Sequence, residues 1–284
     1  MFDKKNIIKA FAKVNIGLNV LDRRGDGYHN IETIFAPINL YDTFQFFDSD
    51  EISIETNWKH LPVDEHNLCY KATKILKEKY APDKGVHINV TKKIPIGAGL
   101  GGGSSDAACV LNELNKMWKL ELPDDELFKT ALSLGSDVPY FLKGGVAYAL
   151  GRGEELTYLD LQLPYYVIIV YPNLCISTKW AYEKYQEKEA GKLFGYDKFL
   201  QLAINEPDIF REKFTNDFEK IVFTRYAGLI SIKNVLYEKG ALFASLSGTG
   251  SALFGFYLHE KTALRAYDTF SSRFQTFISY PDFN

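Results

Sequence analysis

Residues 94–110 read IPIGAGLGGGSSDAACV, and the fold of the chain turns on how this stretch is read. Six of the seven positions from Gly97 to Gly103 are glycine or alanine, so the backbone there can bend sharply and approach a ligand with no side chains in the way. Upstream, Val86, Ile88 and Val90 alternate with His87, Asn89 and Thr91, the period of a half-buried strand, and Pro95 closes it. Downstream, Ala107, Leu111, Leu114 and Trp118 recur at helical spacing, with Asn112, Glu113, Asn115 and Lys116 on the other face. The order is strand, glycine loop, helix. The N–H groups of that helix's first turn, at the positive end of its dipole, suit an anion, phosphate above all.

Three glycine-rich chemistries compete for the loop. A P-loop requires a lysine that reaches the β/γ-phosphates, and here the glycines run straight into Ser104 and Ser105. Gly97, Gly99 and Gly102 fit a dinucleotide fingerprint, but KLELPDDELFKTALSL follows Trp118, a second capped helix where that fold needs a strand ending in an acid. The third is a serine-ended phosphate loop. A glycine-rich turn without a ligand is disfavoured, because such residues cost folding entropy and add nothing to a core.

Composition narrows the class. At 284 residues the chain is longer than a typical domain, and two domains are expected. An apolar fraction of 46% with 15% aromatics supports packed cores. The formal charge of −3, without a basic block, argues against a nucleic acid or a membrane as the main partner. Cys69, Cys109 and Cys175 are isolated, and the five histidines form no metal spacing, so neither a disulfide framework nor a zinc site is expected. MFDKKNIIKAFAK is too polar for a signal peptide, no run approaches membrane length, and a cytoplasmic location is the default.

In chain order, Ala10 to Val20 alternates, placing Lys13, Asn15, Gly17 and Asn19 on one strand face that either lines a polar pocket or meets solvent. Asp26-Gly27 signals a hairpin turn, and GYHNIETIF begins the return strand with Tyr28 and His29, which alone would pass for a packing pair. Asn67 precedes a helix over 68–80 and reads as its N-cap. Lys92 on its own reads as a surface lysine. Asp137, before Val138-Pro139, reads as a helix N-cap. Residues 144–150 read as a strand, YYVIIVYP as a buried strand, and Ser177 or Thr178 as the cap of a further helix. KLFGYDKFLQLAINEPDIFREKF, within a stretch around residues 184–215, has scattered apolar residues and reads as a helical insertion. The glycine-serine-threonine turn in LSGTGSALFGFY reads as a hairpin.

PIGAGLGGGSSDAA resembles the phosphate-binding signature of the GHMP small-molecule kinases, and the resemblance spans nearly the whole chain. It implies an α+β, two-domain GHMP kinase fold: an N-terminal ribosomal protein S5 domain 2-like part, placed at residues 1–158, and a C-terminal α/β sandwich at residues 159–284. The resemblance implies that ATP lies on Pro95, Ile96, Gly97, Ala98, Gly99, Leu100, Gly101, Gly102, Gly103, Ser104 and Ser105, with Asn67 and Lys92 near the base. AKVNIGLNV and LGSDVPYFL are similar to the segments that carry the family's active-site lysine and catalytic aspartate, here Lys13 and Asp137, with Asn15 beside the lysine. GYHNIETIF is similar to the segment that holds a cytosine, with Tyr28 and His29 in that role, and Thr178 with Tyr182 closes over it. GRGEEL is similar to the family's G-x-G-E turn, and NDFEKIVF to a structural helix start.

The implied reaction is transfer of the γ-phosphate of ATP, with Mg2+, to a hydroxyl of a cytidyl diphosphate sugar alcohol in non-mevalonate isoprenoid synthesis. Ser105 or Ser104 is the implied hydroxyl for the metal. Another kinase of the family and a silent nucleotide-binding regulator on the same fold remain alternatives, and a homodimer is left open.

Overall fold

The computed structural model describes residues 7–185 and 192–281. The chain opens with two long strands, β1 (Ile8–Arg23) and β2 (His29–Ser49), followed by β3 (Ile52–Thr56), α1 (Leu68–Tyr80) and β4 (Gly85–Thr91). The glycine loop leads into α2 (Gly102–Met117), then α3 (Asp124–Leu134), α4 (Val138–Lys143), β5 (Ala147–Leu150) and β6 (Glu155–Tyr158). The second half runs β7 (Tyr166–Tyr171), α5 (Thr178–Lys184), α6 (Tyr196–Asn205), α7 (Asp208–Lys213), α8 (Phe218–Arg225) and α9 (Gly228–Glu238). It closes with β8 (Phe243–Leu246), β9 (Leu253–Tyr257), α10 (Glu260–Ser271) and β10 (Gln275–Ser279).

Two compact units emerge, each made of several stretches of sequence. Among the described residues, one comprises 7–12, 41–94 and 101–144; the other comprises 13–40, 95–100, 145–185 and 192–281. The units are discontinuous in sequence because β1 and β2 are each long enough to run through both, with 16 and 21 residues.

In the first unit, β2 pairs antiparallel with β4 from Thr43–Thr91 to Ser49–Gly85, and β3 pairs parallel with β4. Alternation does the work: Val86, Ile88 and Val90 point into a core shared with Phe44, Leu76, Val110, Leu111 and Leu114. Small residues Ala72, Ala107 and Ala108, all fully buried, let α1 and α2 approach closely.

In the second unit, β2 pairs with β5 at Thr33–Ala149 to Phe35–Ala147, and β5 with β6. A separate antiparallel sheet has the order β10-β7-β9-β8. The stretch expected as an insertion is core in its described part; residues 186–191 lie outside the described residues. Tyr196, Leu200, Phe210 and Phe214 are buried, and Phe210 packs at 5.5 Å from Phe243 and 5.6 Å from Phe256, ring centre to ring centre. Two short helices split its apolar residues, so no single helical period exposes the burial in sequence.

Glu32 anchors the same stretch. Its fully buried carboxylate accepts the N–H groups of Phe194 (2.7 Å), Gly195 (2.7 Å) and Tyr196 (3.1 Å), together with Asn19 Nδ2 and the Tyr148 hydroxyl. It thereby satisfies the N–H groups leading into α6 and that of its first residue, Tyr196, where the N-cap Gly195 has no side chain to do so.

Candidate active site

The glycine loop has an asymmetry that glycine content alone does not require. Its carbonyls are tied to protein: Ile96 O accepts from Tyr171 Oη (3.4 Å), Ala98 O from Ala252 N (3.0 Å), Gly99 O from Ser247 Oγ (2.8 Å) and Leu100 O from Lys13 N (3.0 Å). Acceptors that would repel an anion are therefore turned to protein donors. Gly99 sits at φ +78°, and a Cβ there would lie 2.0 Å from Ser247 O, so both backbone angle and space demand glycine.

Gly101, at φ 72°, is the N-cap of α2 and caps it with no side chain. A helix of 16 residues thus begins with its first-turn N–H groups free of any side-chain acceptor. Ile96, Gly97 and Gly103 are exposed, Ser104 is half-buried, and Pro95, Ala98, Leu100 and Ser105 are buried. Ser105 Oγ donates to Phe11 O (2.7 Å), which leaves Ser104 as the better exposed hydroxyl of the pair.

Lys13 and Asn15 lie on the polar face of β1, and the structure rejects its solvated reading: they are 3% and 2% exposed. Lys13 Nζ donates to Asn15 Oδ1 (2.6 Å) and stands 4.9 Å over the Phe35 ring, while Asn15 Nδ2 donates to Thr33 Oγ1 (3.0 Å). The turn between β8 and β9 comes against both this chain and the glycine loop. A Cβ on Gly248 would be 3.4 Å from Asn15 Oδ1 and 3.5 Å from Gly99 O. Asn216 holds that turn by donating to Leu246 O and Gly248 O, both at 2.8 Å. The sequence reading gave Asn216 only a helix start, and its reach across 30 residues has no local signal.

Tyr28, His29, Thr178 and Tyr182 lie in the same unit. His29 and Tyr182 stack with ring centres 5.2 Å apart and planes 25° apart, although 153 positions separate them. Phe218 meets Tyr182 edge-on at 4.8 Å. Thr178 Oγ1 lies 3.2 Å from Thr249 Oγ1, linking α5 to the β8–β9 turn. Ser177, not Thr178, caps α5 by accepting from Trp180 N. Tyr28 is 54% exposed, an aromatic surface open to a ligand.

In the other unit, Asn67 caps α1: its Oδ1 accepts from Cys69 N (2.8 Å) and its Nδ2 donates to Pro62 O (2.7 Å). Asp137 takes the N-cap position of α4, but its side chain makes no capping hydrogen bond, so that expected role is not the one its carboxylate performs. It is half-buried.

Lys92 is a correction to the surface reading. It is 5% exposed, and its ammonium bonds to Asp42 and Asp106. Asp42 also accepts from Lys93 N (2.5 Å) and Ile94 N (2.9 Å), so this buried triad fastens the entrance of the loop and the first turns of α2. With its ammonium engaged in this way, Lys92 fastens the entrance of the loop from within the core. Neither aspartate is near it in sequence, which is why it passed for surface.

Burial works against the Lys92 charge, yet the pull of Asp106 and Asp42 outweighs it and raises its pKa. For Asp106, burial dominates over the attraction of Lys92, and Asp42 adds to it, so its carboxyl is pushed up to about 8. Its Oδ1 is buried without a hydrogen-bond partner. Burial thus favours the protonated form of Asp106, which lowers the buried net charge around Lys92. A folded pKa above the unfolded value of 3.8 gives stability that is full below about 4 and lost as pH rises through about 8. Asp106→Asn is therefore expected to flatten the fall in melting temperature between pH 5 and 9. A variant with the wild-type slope would assign the proton elsewhere.

A strand-loop-helix with its loop carbonyls held by protein donors, a helix start that no side chain caps and the β8–β9 turn against Gly99 has the features of a phosphate-binding enzyme, and the sequence comparisons agree. Residues 67–145 match the GHMP kinases N terminal domain and residues 201–276 the GHMP kinases C terminal domain. The chain belongs to the GHMP kinase family, whose two-domain α+β fold it has. It is 44% identical to the 4-diphosphocytidyl-2-C-methyl-D-erythritol kinase of Pelodictyon phaeoclathratiforme, over 98% of this chain and 97% of that one. It is 46% identical to the kinase of the same name from Chlorobium chlorochromatii, over 95% of each. A crystal structure of 4-(cytidine 5'-diphospho)-2C-methyl-D-erythritol kinase superposes with a TM-score of 0.82 at 32% identity, covering 96% of this chain and 98% of that one. A homoserine kinase from Cytophaga hutchinsonii, at 18% identity and a TM-score of 0.72, shares the fold. No helix among the described residues is long and apolar enough to cross a membrane.

Proposed function

We propose that the chain transfers the γ-phosphate of ATP to the 2-hydroxyl of 4-diphosphocytidyl-2-C-methyl-D-erythritol. The observation that carries the donor half is the loop whose carbonyls are bonded to protein, ahead of a helix start that no side chain caps. Backbone N–H groups in that setting receive phosphate oxygens. The acceptor half is supported by His29 stacked on Tyr182 beside the exposed Tyr28, a set of rings suited to a nucleobase.

Asp137 takes the proton of the attacking hydroxyl. An alcohol is far less acidic than a carboxylic acid, so the proton moves late, as the new O–P bond forms. Lys13 offsets charge on the transferring phosphoryl group, and Asn15 and Thr33 hold its ammonium in place. Ser104, with Ser105 behind it, is the hydroxyl that would meet Mg2+ carried by the triphosphate. When bound, the metal would neutralise charge on the triphosphate. A cytoplasmic site of action accords with ATP as the donor.

The expected result for Tyr28→Ala or His29→Ala is a KM for the cytidyl acceptor raised about tenfold or more, from loss of base stacking and of its hydrogen bonds, with KM for ATP little changed. Steady-state kinetics with each substrate varied in turn checks this. Equal losses for both substrates would place the cytosine elsewhere.

A further inference from the structure

Gly151-Arg152-Gly153-Glu154 forms the turn between β5 and β6, and its second residue has no role in the scheme above. The Arg152 guanidinium carbon lies 4.7 Å from the centre of the Tyr28 ring. Its Nε faces Glu154 Oε1 at 3.4 Å, and its backbone N–H donates to Glu154 Oε2. Arg152 is the more sheltered partner, with a side chain 22% exposed against 54% for Tyr28. Gly151 O accepts from Ile31 N (2.7 Å), which ties the turn to β2 just beyond His29. From the other side, Asp26 Oδ1 accepts from Tyr28 N (3.1 Å), and that bond holds the Asp26 carboxyl below its ordinary pKa.

We propose that Arg152 is a positioning residue for the cytidyl acceptor: it covers one face of the Tyr28 ring and holds the opposite face ready for the base. This rests on the assignment of Tyr28 to base stacking made above. A tyrosine more than half exposed has several rotamers open to it, and a base stacking on it must first fix one. A guanidinium lying on the ring face makes a cation–π contact that selects a rotamer before the ligand arrives. Glu154 keeps the guanidinium from swinging into solvent. The planarity of arginine matters here, since an ammonium has no flat face to lay on a ring.

The test measures both KM values and kcat for Arg152→Ala, Arg152→Lys, Glu154→Gln, Tyr28→Ala and the Arg152→Ala/Tyr28→Ala double variant, each confirmed folded by its thermal transition. Arg152→Ala is expected to raise KM for the cytidyl acceptor about three- to tenfold, the range a cation–π contact of this exposure supports, and to leave kcat and KM for ATP in place. Arg152→Lys falls between wild type and Arg152→Ala. Glu154→Gln, which loosens the arginine without removing it, moves acceptor KM the same way by less. The double variant matches Tyr28→Ala alone, because the arginine acts only through that ring. An unchanged acceptor KM in Arg152→Ala, or losses that multiply in the double variant, would overturn the proposal. If Tyr28→Ala itself leaves acceptor KM unchanged, the base-stacking assignment fails instead, and the two failures are told apart.

Discussion

Asp137→Asn is expected to lower kcat about 100- to 10,000-fold, the span over which a positioned acid-base group contributes, while ATP still binds and protects the protein against unfolding. Asparagine has nearly the same shape, so the substrates still fit, but its amide cannot accept the hydroxyl proton. The Asp137 side chain makes no capping bond to α4, so the substitution does not remove a cap from that helix. Single-turnover kinetics together with ATP-dependent thermal shifts separates the two effects. An active Asp137→Asn enzyme would remove the base from the mechanism, and a variant that no longer binds ATP would make the residue structural.

Gly99→Ala carries the second large effect. The added methyl would fall 2.0 Å from Ser247 O, a backbone atom that cannot rotate away, and the residue would hold φ at +78°. Left-handed backbone and overpacking together cost about 2–5 kcal/mol. Moving Ser247 also breaks its bond to Gly99 O, one of the contacts that turn the loop carbonyls inward. A melting temperature lowered by several degrees and a KM for ATP raised more than about tenfold are expected from that combination. Gly103→Ala supplies the contrast in stability: a methyl there meets only Leu68 Cδ1, at 3.8 Å, so helix propensity gains about 0.5–1 kcal/mol. Equal stabilities for the two variants would mean that the loop is not built around Gly99 as described.

What could be read in the sequence follows from how local each cause is. The strand over 85–91, the loop and the helix from Gly102 are set by alternation, glycine and a 3.6-residue period, all within a few positions of one another. The helix over Leu68–Tyr80 and its Asn67 cap were legible for the same reason. The partnership of His29 with Tyr182 was not, since it is a contact across most of the chain, and only resemblance to a family placed both residues in one role. Burial of Lys92 needs Asp42 and Asp106, positions 50 and 14 residues away, and nothing in a lone lysine announces them. Arg152 lies in a turn that sequence treats as punctuation; its meaning comes from the Tyr28 ring, 124 residues earlier.

The central claim is that a nucleotide kinase loop and an aromatic base site serve one reaction. Incubation with γ-labelled ATP and a panel of acceptors, 4-diphosphocytidyl-2-C-methyl-D-erythritol beside mevalonate and homoserine, tests it most directly. Label is predicted to pass to the cytidyl compound and to neither of the others. Transfer to mevalonate or homoserine in its place, or ATP binding with no transfer to any acceptor, would contradict the account.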